Sequence, residues 1–185
     1  MTGKFEITRL PLEDACVIQA FEFRDERGLF LKFYEEKTLA SANIKHFFCE
    51  EFLSVSRIGT VRGLHYLSGM HSDAKLVTCL KGRTYDVIVD LRRKSPTFGK
   101  WHGILMQGEK PATLYIPPGF AHGFLALAED TTILYRTGLP YKPEMQRGII
   151  WNDKTLAIKW PLNGEPILSE ADQKWPDFEH AEKFD

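Results

Sequence analysis

Two histidines, a lysine and a tyrosine, each on a short run of strand-forming residues, carry the chemistry this 185-residue chain can offer. Arg62-Gly63-Leu64-His65-Tyr66 is followed ten residues after His65 by Lys75, and later by Pro117-Pro118-Gly119-Phe120-Ala121-His122-Gly123-Phe124 and Tyr135. An imidazole of near-neutral pKa suits removal of a proton from the carbon beside a carbonyl. The enolate that results needs a fixed positive charge, and Lys75 is the candidate. Inverting a stereocentre requires a second acid on the opposite face, and the Tyr135 hydroxyl is available. Each residue also has an ordinary structural reading: a strand histidine satisfied in the core, a tyrosine with a wet tip, a lysine at a solvated edge.

The same residues bear on metal chemistry. A cupin-type metal site needs a His-x-His pair and a carboxylate on one hairpin and a further histidine on the next. Pro117-x-Gly119-x-x-His122 fits the second element. The first is missing, because Tyr66 and Leu67 follow His65 and Lys75 stands where a carboxylate is wanted. His65, His71 and His122 could meet in space, but an ammonium beside them opposes a divalent cation. Neither a metal nor a cofactor is expected.

The elements that must position these side chains read as strands. Extended runs are predicted at Val17–Phe23, Leu29–Tyr34, Glu50–Ser56, Val61–Tyr66, Lys75–Leu80, Thr84–Leu91, Trp101–Met106, Thr113–Ile116, Phe120–Leu127 and Thr132–Thr137, separated by Gly, Pro and Asp turn signals. Thr84 to Leu91 alternates as a strand with one wet face should. Glu35 to Ala42 is the one clear early helix, and Ser169-Glu170-Ala171-Asp172 looks like the capped start of a short one. The spacing favours an antiparallel sandwich or barrel.

Length and composition agree with one domain spanning 1–185: the chain is 43% hydrophobic and 26% charged, with 13 phenylalanines. With 24 basic and 25 acidic residues and a net charge of -1, it has no surplus of cations to neutralise a nucleic-acid backbone. No window is apolar enough to span a membrane. Cys16, Cys49 and Cys79 are odd in number and lack metal-type spacing, so they read as reduced thiols in a cytoplasmic protein.

Taken together, the blocks Phe23-Arg24-Asp25-Glu26-Arg27-Gly28, Val61 to Tyr66, Ala74-Lys75-Leu76-Val77, Asp86 to Arg92, Ser95 to Trp101, Ile116 to Phe124, Trp151-Asn152-Asp153, Ile158-Lys159-Trp160-Pro161 and Leu168-Ser169-Glu170-Ala171-Asp172 resemble the dTDP-4-dehydrorhamnose 3,5-epimerase family. The resemblance runs from about Val17 to about Asp172 with the blocks in order. It implies an all-β, cupin-like jelly-roll β-barrel or sandwich with a few short peripheral helices. It also implies an isomerase acting, without a cofactor, on a nucleoside-diphosphate 4-keto-6-deoxy sugar at C3 and/or C5. In that pattern His65 matches the catalytic base and Asp172 the carboxylate paired with it. Tyr135 matches the acid on the other face, Lys75 the enolate-stabilising cation and His122 a second active-site histidine. Arg27 and Arg62 match diphosphate-binding arginines, while Phe30, Glu50 and Tyr141 fall at positions near the nucleotide or sugar. Family members are implied to be homodimers in which strand exchange lets one subunit contribute to the partner's site.

The departures from the pattern lie at Glu50 and Phe52, where Gln and Asn are usual, and at Lys32, Leu67 and Thr78. They read either as altered substrate choice with retained chemistry, so that the base need not be thymidine and one carbon rather than two is inverted, or as drift outside the contact shell. The other functional readings are a sugar-nucleotide ketoisomerase, a metal-dependent cupin oxygenase, and a non-catalytic nucleotide-sugar-binding module.

Overall fold

Alternating apolar residues, too short in their runs for long helices, place the chain in strands that cross between two facing sheets. The computed structural model describes residues 5–69 and 73–185; His71 lies outside the described residues. In chain order the elements are β1 (Glu6–Arg9), β2 (Cys16–Gln19), β3 (Phe21–Asp25), β4 (Gly28–Lys32), the helix α1 (Glu36–Ser41), β5 (Glu50–Ser56), β6 (Val61–Leu67) and β7 (Lys75–Lys81). They continue with β8 (Arg83–Asp90), β9 (Trp101–Gln107), β10 (Ala112–Ile116), β11 (Phe120–Ala126), β12 (Thr131–Thr137) and β13 (Gln146–Gly148). One sheet has six strands in the order β1-β2-β10-β7-β12-β5, the other five in the order β13-β6-β11-β8-β9. All ladders are antiparallel, and successive strands from β5 to β12 mostly alternate between sheets, which is the jelly-roll arrangement. The hairpin β3–β4 forms a two-stranded sheet of its own.

Strand parity sorts the side chains into three layers. Between the sheets, Val77, Leu114 and Ile133 meet Ile88, Phe120 and Phe124. On the outer face of the six-stranded sheet, Leu76 and Tyr115 are covered by Leu39 and Ile44. On the outer face of the five-stranded sheet, Leu64, Val87 and Val89 pack with Leu156, Phe178 and Phe184 from the C-terminal segment.

Four sequence expectations change in the structure. The strands β1 and β13 were not anticipated; both are short and sit at sheet edges, where little hydrophobic patterning is needed. The run Val17–Phe23 breaks at Ala20, so β2 stays in the large sheet while β3 leaves it. The supposed wet face of Thr84–Leu91 is not wet, because Thr84, Asp86 and Asp90 are at most 1% exposed. Their polar alternation faces the interior, and the apolar alternates are sealed by the C-terminal segment. Finally, Ser169–Asp172 forms a turn, not a helix. Ser169 Oγ does accept the Asp172 N–H at 3.1 Å, but the Asp172 carboxylate is engaged elsewhere and Pro176 supplies no N–H to continue.

The pairing of β6 with β11 sets the two key histidines. His122 lies opposite His65, and the register shifts between His122 and Phe124. Gly63 makes this approach possible: it has φ +116°, and a Cβ there would lie 2.6 Å from Gly123 Cα and 2.7 Å from the His122 carbonyl oxygen. With Leu64 and Tyr66 on the outer face, His65 points between the sheets. Gly63→Ala should therefore lose about 3 kcal/mol or more of stability in urea unfolding, from backbone strain plus overpacking. Gly59→Ala, at φ +81° with nothing within 4 Å of the added Cβ, should lose only about 1–2 kcal/mol. Equal losses would contradict the close-approach explanation.

Candidate active site

A cleft of about 870 Å³ opens at one end of the sandwich, with β5, β7 and β12 on one wall and β6 and β11 on the other. Residues 167–172 close one side. His65, Lys75, His122, Tyr135 and Asp172 all line it, as do Arg62 and Tyr141. The imidazole of His65 comes from the five-stranded sheet and the phenol of Tyr135 from the six-stranded sheet, so the two proton-carrying groups stand on opposing walls.

His65 Nε2 lies 2.5 Å from Asp172 Oδ1. Burial pushes the Asp172 carboxyl up, but its hydrogen bonds to His65, Ser169 and Trp175 outweigh this and hold it below the usual carboxylate range. An ionised carboxylate only accepts, so Nε2–H donates, and in the neutral ring the lone pair is on Nδ1. The Trp175 indole N–H donates to the same Oδ1 at 3.0 Å, and its ring sits edge-on to His65 with centroids 6.1 Å apart.

The second histidine is arranged differently. His122 Nε2 donates to Asp86 Oδ1 at 2.9 Å, and Asp86 also receives the Thr84 hydroxyl. Burial pushes His122 down, more than the Asp86 carboxylate pulls it up, while Lys75 and His65 push it down further. It is therefore a neutral donor rather than an imidazolium. Tyr135 is wedged between aromatic rings, stacked on Phe52 at 5.0 Å and 14° and edge-on to His122 at 6.3 Å. Burial raises its pKa far above the ordinary phenol value, and the Asp86 charge adds to this against Ser54 and Arg62.

Lys75, opposite Thr137 of β12, has its pKa lowered by burial, with the Asp73 charge acting in the other direction. Asp73 is pushed up to about 6, by burial first, while Lys75 and the N–H groups of Gly138 and Leu139 oppose the rise. Those amides donate to Asp73 Oδ1 at 2.7 and 3.0 Å.

Arg62 stands at the mouth, where its Nε donates to Ser56 Oγ at 3.1 Å. Tyr141 donates its hydroxyl to Gln146 Oε1 at 2.7 Å, and its N–H reaches Glu50 Oε2 at 3.0 Å, so Glu50 acts at the rim as a latch for this segment. The structure does not bring Arg27 or Phe30 to this cleft within one chain. Arg27 is exposed at the tip of the β3–β4 hairpin and paired with Asp25 at 2.6 Å, and Phe30 is 56% exposed on the same hairpin.

Sequence reasoning passed over Asp86, Asp73, Trp175 and Arg57, all of which touch or support the site. Asp86 had a signal: Thr84, Asp86 and Ile88 alternate on the face that carries the core. The departures from the family pattern also separate by position. Phe52 and Leu67 line the cleft. Thr78 is buried elsewhere, bonded to Thr113 at 2.8 Å, and Lys32 pairs with Glu35 at 3.1 Å on the surface. Within one chain, drift outside the contact shell fits Thr78 and not Phe52 or Leu67. Among the described residues no group of three or more His, Cys, Asp or Glu is placed to share a metal ion. Among them also no helix is long and apolar enough to cross a membrane.

The fold and cleft thus define a jelly-roll sandwich equipped for proton transfer between opposing walls. The model of the dTDP-4-dehydrorhamnose 3,5-epimerase family matches residues 9–180. A Pseudomonas aeruginosa dTDP-4-dehydrorhamnose 3,5-epimerase is 40% identical over 178 residues, covering 96% of this chain and 98% of its own. Among solved structures, the Bacillus anthracis enzyme of that name with TDP and PPi bound superposes with a TM-score of 0.91 at 37% identity, covering 95% of this chain and all of that one. The Legionella pneumophila dTDP-6-deoxy-D-glucose-3,5-epimerase in complex with dTDP-4-keto-L-rhamnose gives 0.91 at 35% identity, with 96% and 94% covered. This chain belongs to the dTDP-4-dehydrorhamnose 3,5-epimerase family and is an isomerase, a carbohydrate epimerase.

The opposition of burial and Asp73 at Lys75 has a measurable consequence. Asp73→Asn keeps the acceptor for the Gly138 and Leu139 amides but removes the charge that holds the ammonium protonated. The Lys75 pKa should fall, so that acylation by a small amine reagent, which attacks only the neutral amine, sets in at lower pH than in the parent protein. An unchanged onset, with the modified lysine located by mass spectrometry, would contradict the coupling.

Proposed function

We propose that the protein epimerises a nucleoside-diphosphate 4-keto-6-deoxyhexose at C3 and/or C5, as one step of deoxysugar biosynthesis. The observation that carries this reading is the placement of His65 and Tyr135 on opposite walls of one cleft, the first bonded to Asp172 and the second held between Phe52 and His122. His65 Nδ1 takes the proton from the carbon beside the 4-keto group, and Asp172 steadies the imidazolium that forms, as a triad carboxylate does. Lys75 holds the enolate oxygen, beside His122, whose ring is fixed by its Nε2–H bond to Asp86. Tyr135 delivers a proton to the other face. Arg62 anchors the diphosphate with a forked guanidinium, and that remote binding helps hold the ring in register with the proton carriers. No step requires a cofactor.

Phe52 replaces an amide by an apolar ring inside the cleft, which supports altered substrate choice with retained chemistry. The working form is a homodimer in which the β3–β4 hairpin carries Arg27 and Phe30 to the partner's cleft. Their distance from their own cleft and the hairpin's separation from both main sheets support this. Three free cysteines, Cys49 among them exposed, support a reducing, cytoplasmic setting.

Incubation in deuterated water with dTDP-, UDP- and GDP-4-keto-6-deoxyglucose should place solvent deuterium at C3 or C5 of at least one of them. Absence of label from all three would refute the function. For the dimer, mixed Arg27→Ala and His65→Asn proteins should recover activity that neither has alone, because hybrids then contain one intact site. Recovery no greater than the sum of the two separate variants would place Arg27 outside the partner's site.

A further inference from the structure

One enclosed side chain at the cleft has no task in the scheme above. Ser54 lies on the inner face of β5 between Phe52 and Ser56, opposite Ile133 and one step diagonal from Tyr135. Ser56 uses its hydroxyl to receive Arg62. Among the described residues the Ser54 hydroxyl is the one fully enclosed side-chain oxygen or nitrogen without a hydrogen-bond partner. An enclosed hydroxyl left unpaired is unfavourable, and it persists where another state of the protein supplies the partner.

That partner is close by. The Tyr135 phenol makes no well-aligned hydrogen bond among the described residues, and Ser54, which lines the same cleft, is near enough to favour its ionised form. If Tyr135 gives its proton to carbon, a phenolate is left against the π face of Phe52 and within the field of Asp86. Both make the anion costly, so a donor is wanted. The Arg62 charge offsets part of that cost, but its guanidinium bonds Ser56 and the Val55 carbonyl at the cleft mouth, not the phenol. Ser54 is uncommitted.

We propose that Ser54 is a positioning residue for the epimerisation, whose hydroxyl rotates to donate a hydrogen bond to the Tyr135 phenolate formed when that residue protonates the sugar carbon. This rests on the reading of Tyr135 as the acid. The phenol O–H breaks as the new C–H bond forms, Ser54 keeps its own proton throughout, and the phenolate regains one from water before the next turnover. The influence of Ser54 on Tyr135, which favours the ionised phenol, points the same way. The hydroxyl therefore contributes when the acid has discharged, and little before.

Two measurements test this. A fluorinated tyrosine at position 135, whose phenol ionises in a reachable range, can be titrated by its ultraviolet band in the ligand-free protein. Ser54→Ala should raise that midpoint by about one pH unit or more, as expected for losing a hydrogen bond to a charged group. An unmoved or lowered midpoint overturns the proposal whatever the substrate is. With a 4-keto sugar in deuterated water, Ser54→Ala should slow inversion about tenfold or more while exchange initiated by His65 continues, and Ser54→Thr should restore inversion. Equal losses in the alanine and threonine variants, or a rise in KM alone, would assign Ser54 to packing or to a substrate contact and overturn the proposal. Failure of the parent protein to exchange or invert would strike the reading of Tyr135 instead, and the titration would still decide the role of Ser54.

Discussion

The hydrogen bond between His65 and Asp172 joins groups 107 residues apart, and the rest of the site depends on it. It fixes the imidazole tautomer and pins the turn at 169–172 against the cleft. It also starts the path of the C-terminal segment across the outer face of the five-stranded sheet. Trp175, which shares the carboxylate, fills the space over Gly148, where a Cβ would come within 2.4 Å of the indole. Phe178 and Phe184 continue the cover. One carboxylate thus serves both the chemistry of β6 and the closure of the fold behind it.

The cleft sets an opposite charge near each of two buried ionisable groups. His122 on β11 meets Asp86 on β8, and Lys75 feels Asp73 two residues before it. Burial and pairing pull in opposite directions at each of these groups, and burial prevails, so both pKa values lie below their ordinary ones. A neutral His122, its N–H held by Asp86, sets no second positive charge beside Lys75. A phenol held high at Tyr135 remains protonated until a carbanion forms beside it. These properties come from the interior faces of two sheets whose opposite faces are covered independently, so the barrel tolerates polar residues at one end.

Much of this was legible in the sequence. The Thr84–Leu91 run alternates, and glycine and proline mark the turns between the short extended runs, so the sheet architecture could be read. His65, Lys75, His122, Tyr135 and Asp172 stood in recognisable local patterns, and the fold gathers them in one cleft. Asp86 was missed because polar alternation on a strand looks the same whether the face meets water or an internal cavity. The 169–172 turn was misjudged because a capping pattern does not reveal that its carboxylate has a stronger partner far away in sequence. Arg27 and Phe30 show a different limit: a hairpin that leaves its own sheets takes its role from a neighbouring surface, which local patterning does not encode. Phe52 could be seen as a departure from the family, but only the stacked ring of Tyr135 gave that departure a physical meaning.

The central claim is that two proton carriers act from opposite walls on one planar intermediate. The most direct test compares His65→Asn with Tyr135→Phe under single-turnover conditions in deuterated water, following label and configuration at the same carbon. The account predicts that His65→Asn loses exchange and inversion together. Tyr135→Phe should still exchange the proton but return it without inversion. Inversion at the parent rate in Tyr135→Phe, or exchange at the parent rate in His65→Asn, would contradict it.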